Sequence, residues 1–237
     1  MIDFHSHILP GIDDGSKDTA TSIRMIEEEM RQGVTGIALT PHFYADTDDP
    51  QQFLARRERA FRELQETLEE EEIKVPRMIL GSEVHFYRGM SRSESLRKLC
   101  LGESNYILVE LPFRRWQQYI VDDVKDIGNN LGLNVIIAHF ERYLDQDRKL
   151  VKQITEDEDL IIQSNAEFFL EKDRRKALRY LKDGTIDILG SDCHNTDSRR
   201  PNLKDAMDLI GKKLGDGYVT GLEEKSRALF ARFEVKR

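Results

Sequence analysis

Met1-Ile2-Asp3-Phe4-His5-Ser6-His7 is a short apolar run of strand character, residues 2–4, that breaks off into two histidines. The same figure recurs along the chain. Runs rich in Ile, Val and Leu near residues 36–40, 77–82, 106–110, 133–138, 160–164 and 186–190 bring the candidate strands to seven, and helical patterns separate most of them. Thr40-Pro41-His42-Phe43 follows the second run, Gly81-Ser82-Glu83-Val84-His85 the third, and Glu110 ends the fourth. Ala138-His139-Phe140-Glu141-Arg142 follows the fifth and Ser191-Asp192-Cys193-His194 the seventh. Strand–helix alternation predicts a parallel sheet, either open or closed. In an open sheet the ends of distant strands lie too far apart to share one site, whereas a barrel gathers all of them around one mouth. Six of the seven strand ends carry such residues, so the sequence predicts a distorted (β/α)7 barrel, TIM-barrel-like, as a single domain over residues 1–237.

Length agrees with that architecture, since 237 residues fall slightly short of the roughly 250 usual for an α/β barrel. The formal net charge is -8, from 44 acidic against 36 basic residues, so no overall positive field draws in nucleic acid or an anionic membrane. No apolar run approaches the roughly 18 residues of a spanning helix, and no basic stretch leads into an apolar one at the N-terminus. Membrane insertion is not expected. Cys100 and Cys193 make neither a disulfide framework nor a CxxC pair, which suits a reducing, cytoplasmic setting. Two helices are legible. One spans 18–33, with Ile23, Ile26 and Met30 on one face and Gly33 as its stop; the other begins at an Asp49 cap with Pro50 in its first turn and buries Leu54, Phe61, Leu64 and Leu68.

Imidazole and carboxylate without thiolate suit Mn, Fe or Zn in an open site rather than a closed structural zinc site. The order His5-Ser6-His7-Ile8-Leu9-Pro10-Gly11-Ile12-Asp13-Asp14-Gly15, Thr40-Pro41-His42, Gly81-Ser82-Glu83, His139-Phe140-Glu141-Arg142-Tyr143 and Ser191-Asp192-Cys193-His194-Asn195 resembles the polymerase and histidinol phosphatase (PHP) superfamily. More narrowly, it resembles the manganese-dependent bacterial protein-tyrosine phosphatases of capsule and exopolysaccharide operons, the CpsB/YwqE type. Phe140 stands where that pattern has proline and Cys193 where it has alanine.

The resemblance implies a three-metal site, with Mn2+ as the favoured ion and Fe or Zn as alternatives. His5, His7, Glu83 and Asp192 would hold one ion, Glu83, Glu110 and His139 a second, and Asp14, His42 and His194 a third. It also implies hydrolysis of phosphotyrosine on a protein, the tail of a bacterial tyrosine autokinase, by attack of a metal-bridging hydroxide on phosphorus. Arg142 and Arg200 are the candidate forks for the phosphoryl oxygens.

Blander roles compete at several positions. Asp13 is an alternative to Asp14, as a ligand or as a group orienting a ligating imidazole, and the pair is also ordinary turn chemistry. Glu110 could cap a helix or pair with a base, and Arg142 and Arg200 could make surface ion pairs. His85 is read as structural, turned away from Glu83 by strand alternation. Arg88, Arg92, Arg114, Arg115 and Trp116 are placed at the mouth. Cys193 and Arg199 satisfy a bare Cys-x5-Arg spacing, but no glycine lies between them to form a phosphate cradle, and nearby acids disfavour a thiolate. A small-molecule phosphatase acting on histidinol phosphate or another monoester, and a non-catalytic kinase-binding regulator stabilised by metal, are the competing functions.

Overall fold

A computed structural model describes residues 1–234, so the last three residues of the expected domain lie outside the described residues. The elements run β1 (Ile2–Ser6), α1 (Thr19–Arg31), β2 (Gly36–Leu39), β3 (His42–Phe43), α2 (Pro50–Glu70), β4 (Arg77–Leu80) and β5 (Glu83–His85). They continue as β6 (Tyr106–Glu110), α3 (Gln118–Leu131), β7 (Asn134–Ile137), α4 (Arg148–Thr155), β8 (Leu160–Asn165), α5 (Glu167–Leu170), α6 (Arg174–Lys182), β9 (Ile188–Gly190), α7 (Leu203–Leu214) and α8 (Asp216–Phe230).

All strand pairings are parallel, in the orders β1-β2-β4 and β3-β5-β6-β7-β8-β9. Thr40-Pro41 interrupts one strand position between β2 and β3, and Gly81-Ser82 interrupts the next between β4 and β5, which leaves seven positions. The ring closes between β9 and β1: Asp192 N–H donates to His5 O at 2.7 Å and His7 N–H to Cys193 O at 2.9 Å. It is distorted where Leu101-Gly102 wedges between β4 and β6, with Gly102 N–H on Leu80 O and Leu101 N–H on Tyr106 O. The expected distorted (β/α)7 barrel is therefore the observed fold.

Strand alternation divides the core in two. Ile2, Phe4, Ala38, Ile79, Leu108, Ile136 and Ile188 point inward, and Phe230 and Phe233 plug the lower end edge-on to Phe4, with centroids 6.0 and 5.9 Å away. The alternate residues, among them Ile37, Leu39, Ile107, Val109, Val135, Ile137 and Leu189, pack outward in the larger cluster shared with the helices. Both legible helices form: Asp49 caps the second as expected, accepting from Gln52 N–H, and Asp18 caps the first, accepting from Thr21 N–H. Their buried faces agree with expectation in part. On α1 Ile23 and Ile26 are buried as expected, together with Ser22, Met25 and Glu29, while Met30 faces solvent; on α2 Leu64 and Leu68 are buried as expected, together with Phe53, Arg57 and Ala60, while Leu54 and Phe61 lie at the margin.

Candidate metal centre

The inward face that packs the lower barrel must change phase to present ligands at the mouth. Ile2 and Phe4 share one parity on β1, and His5 and His7 have the other. The change is made by one extra residue on β1: Asp3 pairs with Ile37, but the next pairing is Ser6 with Leu39. Such a bulge re-aims the side chains beyond it. Asp3 fastens it, its carboxylate accepting from His5 N–H at 3.1 Å, Ser191 N–H at 2.8 Å and Ser191 Oγ at 2.6 Å. His139 and Asp192 stand at φ 31° and 53°, left-handed backbone that non-glycine residues rarely adopt and that concentrates at functional sites. Gly190 allows β9 to approach: a Cβ there would lie 2.6 Å from His5 Cβ.

Hydrogen bonds behind the ring nitrogens fix which atoms face the centre. Gln163 Oε1 accepts from His139 N–H at 2.7 Å and from His5 Nδ1 at 3.2 Å, while Gln163 Nε2 donates to Asn165 Oδ1 at 3.1 Å. His5 therefore carries its proton on Nδ1 and turns the Nε2 lone pair inward. His7 likewise places Nδ1–H on Asp13 Oδ2 at 2.7 Å and points Nε2 inward, and His194 Nδ1 donates to Asp192 O at 2.9 Å. The two inward nitrogens of His5 and His7 lie 3.1 Å apart. Two nitrogens that each bind one ion at about 2.1 Å are about 3 Å apart across a right angle. At that distance either a metal ion or a proton on His7 Nε2 must lie between the two nitrogens, and against burial the Asp13 carboxylate raises His7 well above its ordinary range in the metal-free chain.

Glu83 stands at the centre of the group, fully buried. Its Oε2 is 3.2 Å from His5 Nε2, 3.4 Å from His7 Nε2 and 2.8 Å from His42 Nδ1, and its Oε1 is 2.8 Å from His139 Nε2. The His42 contact falls outside hydrogen-bond geometry, so Glu83 Oε2 and His42 Nδ1 are both buried without a partner, as is His194 Nε2. Asp192 Oδ1 lies 3.4 Å from His7 Nε2 and 3.7 Å from His5 Nε2, and Glu110 Oε1 is 3.3 Å from His139 Nε2. Asp14 Oδ1 is 3.5 Å from both His42 Nε2 and His194 Nε2. Ligand atoms of His5, His7 and Glu83, of His42, Glu83 and Glu110, and of His7, Asp14, His42 and His194 each fall within 4.8 Å of one another. Orphaned buried lone pairs aimed at common points, from oxygen and imidazole donors alone, fit a multinuclear cation site.

The electrostatics agree. Burial opposes ionisation of Glu83 and Asp192, but the neighbouring imidazoles hold both carboxyls well below the ordinary range. Against burial, hydrogen bonds from His139 and His85 hold Glu110 at about 2. Burial disfavours a charged His139, yet Glu110 and Glu83 raise it to about 9. Burial and the His7 charge lower His194 to about 4.

Asp13 and Asp14 have separate roles. The Asp13 side chain is only 5% exposed and accepts from His7 Nδ1, from His42 N–H at 3.0 Å and from Gly15 N–H at 3.0 Å, so it orients the His7 ring and the backbone at His42. The Asp14 side chain, 65% exposed, turns its oxygen toward His42 and His194.

Four expectations are corrected. Arg200 faces away, with Nη2 2.9 Å from Asp205 and Nη1 3.9 Å from Glu28; Arg199 takes the expected place, its Nη2 2.9 Å from Asp192 Oδ1, opposite Arg142 on Asp192 Oδ2. His85 is not turned away, because residues two apart share a strand face, and its Nδ1 lies 2.7 Å from Glu110 Oε2. Trp116 is buried, and Arg88 and Arg114 lie against Tyr119. The sixth strand position also contributes, through Gln163 and Asn165, whose Nδ2 donates to Asp192 Oδ2 at 2.8 Å. The polar Gln163-Ser164-Asn165 ending an apolar run was the available signal. Cys193 is fully buried with Sγ 4.0 Å from Glu29 Oε1; burial, then Glu29 and Asp3, push its thiol well above the ordinary range, so it is no nucleophile.

A model of the family described as capsular polysaccharide synthesis, CpsB/CapC, matches residues 1–228. The chain belongs to this family. It is 30% identical over 228 residues to the tyrosine-protein phosphatase CpsB of Streptococcus pneumoniae, with 91% of each chain covered. It is 29% identical over 235 residues to the tyrosine-protein phosphatase YwqE of Bacillus subtilis, covering 97% of this chain and 91% of the relative. Among solved structures, one from work on YwqE of Bacillus subtilis and CpsB of Streptococcus pneumoniae, described as metal-dependent tyrosine phosphatases, superposes with a TM-score of 0.82 at 27% identity, covering 99% of this chain and 96% of that one. An amidohydrolase of Bifidobacterium longum shares the fold alone, with a TM-score of 0.52 at 15% identity over 97% of this chain and 98% of that one.

Proposed function

We propose that this chain is a metal-dependent protein-tyrosine phosphatase whose metal ligands are His5, His7, Asp14, His42, Glu83, Glu110, His139, Asp192 and His194. The observation that carries the reading is the inward pair His5 Nε2 and His7 Nε2, 3.1 Å apart beside an unpartnered Glu83 oxygen and the unpartnered ring nitrogens His42 Nδ1 and His194 Nε2. His5, His7, Glu83 and Asp192 form one donor group, Glu83, Glu110 and His139 a second, and Asp14, His42 and His194 a third. Mn2+ is the favoured ion, with Fe and Zn as alternatives. When bound, such ions supply a hydroxide nucleophile near neutral pH and neutralise phosphoryl oxygens.

The chain's own residues do the remaining work. Half-buried Arg142 and Arg199, both on Asp192, present guanidinium forks to the phosphoryl oxygens. Asp192 orients these forks, and Asn165 in turn holds Asp192. Gln163 and Asp13 keep His5 and His7 in the tautomers that leave Nε2 free. A phenolate leaving group has a pKa near 10, so its departure needs less help from a proton than an alkoxide does.

The substrate we propose is a phosphotyrosine protein, the tail of a bacterial tyrosine autokinase; the family description, capsular polysaccharide synthesis, supports only the setting in capsule or exopolysaccharide synthesis. Among the described residues no helix is long and apolar enough to cross a membrane. Action in the cytoplasm suits the two free, buried cysteines. The test is turnover of a phosphotyrosyl kinase-tail peptide by Mn2+-loaded protein, with metal content measured on the same sample. Equal activity after complete metal removal refutes the reading. Turnover of histidinol phosphate far above that of the peptide replaces the substrate class.

A further inference from the structure

Among the described residues five large apolar or aromatic side chains are exposed, and Phe113, at 53%, is the most exposed of them. Scattered exposed apolar groups need no explanation. Here two of the five, Phe113 and Tyr44, sit on the mouth of the metal centre in ring contact with its histidines. The Phe113 centroid is 6.1 Å from His139 at an interplanar angle of 23°, and 6.0 Å from Tyr143. The Tyr44 centroid is 5.3 Å from His42 and 5.4 Å from His85.

The exposure of Phe113 is imposed by its loop. Trp116 Nε1 donates to Pro112 O at 2.8 Å, Trp116 N–H to Gln146 Oε1 at 2.9 Å, and Gln146 Nε2 to Phe113 O at 3.4 Å. The backbone on both sides of Phe113 is therefore tied down while its ring projects. Phe113 follows β6 and Tyr44 follows β3, and β5 lies between those strands in the sheet. Two strand spacings are about 10 Å. An aromatic ring in van der Waals contact with a flanking ring on each side needs about 7 Å.

We infer that Phe113, with Tyr44 across the mouth, forms the wall against which the aryl ring of a phosphotyrosyl side chain packs while its phosphoryl group reaches the metal centre, making these two residues determinants of aryl over alkyl phosphate selectivity. This rests on the phosphatase reading above. Phosphoserine and phosphothreonine carry the phosphoryl group on a short alkyl stem with no ring to pack against Phe113 and Tyr44, so the wall acts on the leaving group.

The test measures binding of phenylphosphonate and methylphosphonate, which cannot be hydrolysed, to Mn2+-loaded full-length protein by calorimetry. The wild type is expected to prefer the phenyl compound by about tenfold, the size of an aromatic pair contribution. Phe113→Ala should bring that ratio to within about twofold, and Phe113→Tyr should preserve it. The kcat/KM ratio for phenyl phosphate over an alkyl phosphate should fall in parallel. A ratio unchanged in the Phe113→Ala, Tyr44→Ala double variant overturns the wall, as does equal weakening of both phosphonates, which would mean that Phe113 merely supports His139. If the wild type binds both phosphonates equally, the phosphatase reading stands and the wall alone is wrong. If it binds neither, the phosphatase reading falls and the wall falls with it.

Discussion

Replacing Asp13 and Asp14 separately by alanine puts the division between them to a quantitative test. Asp13 accepts three hydrogen bonds at 2.7 to 3.0 Å from a nearly buried position. Two of the donors are backbone amides, worth roughly 1 kcal/mol each, and the third is the His7 ring, worth about 2 kcal/mol where the pair is charged. Burial favours the neutral acid, but the His7 interaction and the two amides hold the Asp13 carboxyl at about 2, so it is ionised throughout the working range. Asp13→Ala should therefore lose about 4 kcal/mol, or about 10 °C of melting temperature for a chain of this size. Freed from Asp13, His7 loses its fixed tautomer, and metal affinity should fall by roughly 10- to 100-fold. Among the described residues Asp14 makes its approaches at 3.5 Å, to His42 and His194. Asp14→Ala should stay within about 0.5 kcal/mol of wild type in stability while losing one bound ion per chain. Thermal melts of metal-free protein and elemental analysis after dialysis read both effects. The opposite pattern, a destabilised Asp14→Ala with full metal beside a stable Asp13→Ala lacking one ion, refutes the assignment.

Metal stabilisation should grow between pH 7 and pH 9. In metal-free protein His139 is raised from 6.5 to about 9, so the stability its proton contributes is complete below 6.5 and lost as pH rises through 9; metal-loaded protein, with that site taken, should show no matching loss in melts at both pH values. Arg199→Ala should lower kcat/KM on a phosphotyrosyl peptide by about 100-fold, as loss of one transition-state donor does, whereas Arg200→Ala should change it less than about threefold; comparable losses would return Arg200 to the site. Cys193→Ser should keep most activity and chelation should abolish it, and an inactive Cys193→Ser protein with full metal occupancy would restore the thiol as nucleophile.

Much of this candidate centre is legible because its proposed ligands end apolar runs. His42, Glu83, Glu110, His139, Asp192 and His194 each follow or close a run of strand character, and a parallel barrel has one place to put such ends. What was not legible depends on rotation about an axis. Ile23, Ile26 and Met30 lie on one helical face, but the buried face is rotated to take in Ser22, Met25 and Glu29 and leaves Met30 in solvent, because Ser22 Oγ donates to Ile8 O and Glu29 meets Cys193 and Asp3. Arg199 and Arg200 are equivalent by spacing. The turn that returns Arg199 O to His194 N–H at 2.9 Å aims the first at Asp192, and Asp205 on α7 takes the second.

Alternation along a strand misleads in both directions at this site. Applied to Glu83 and His85 it places both on one face, and the ring of His85 accordingly reaches Glu110. Applied to β1 it would put Phe4 and Ser6 inward and turn His5 toward the helices. The extra residue between Asp3 and Ser6 prevents that, and the bulge is stable because Asp3 binds donors from both edges of the barrel seam, His5 N–H on β1 and Ser191 beyond β9. An aspartate between two apolar residues of a strand reads as a pattern error until its partners are known. With its side chain fully buried at the closure of the barrel, Asp3 is what lets one strand serve the core with Ile2 and Phe4 and the metal centre with His5 and His7.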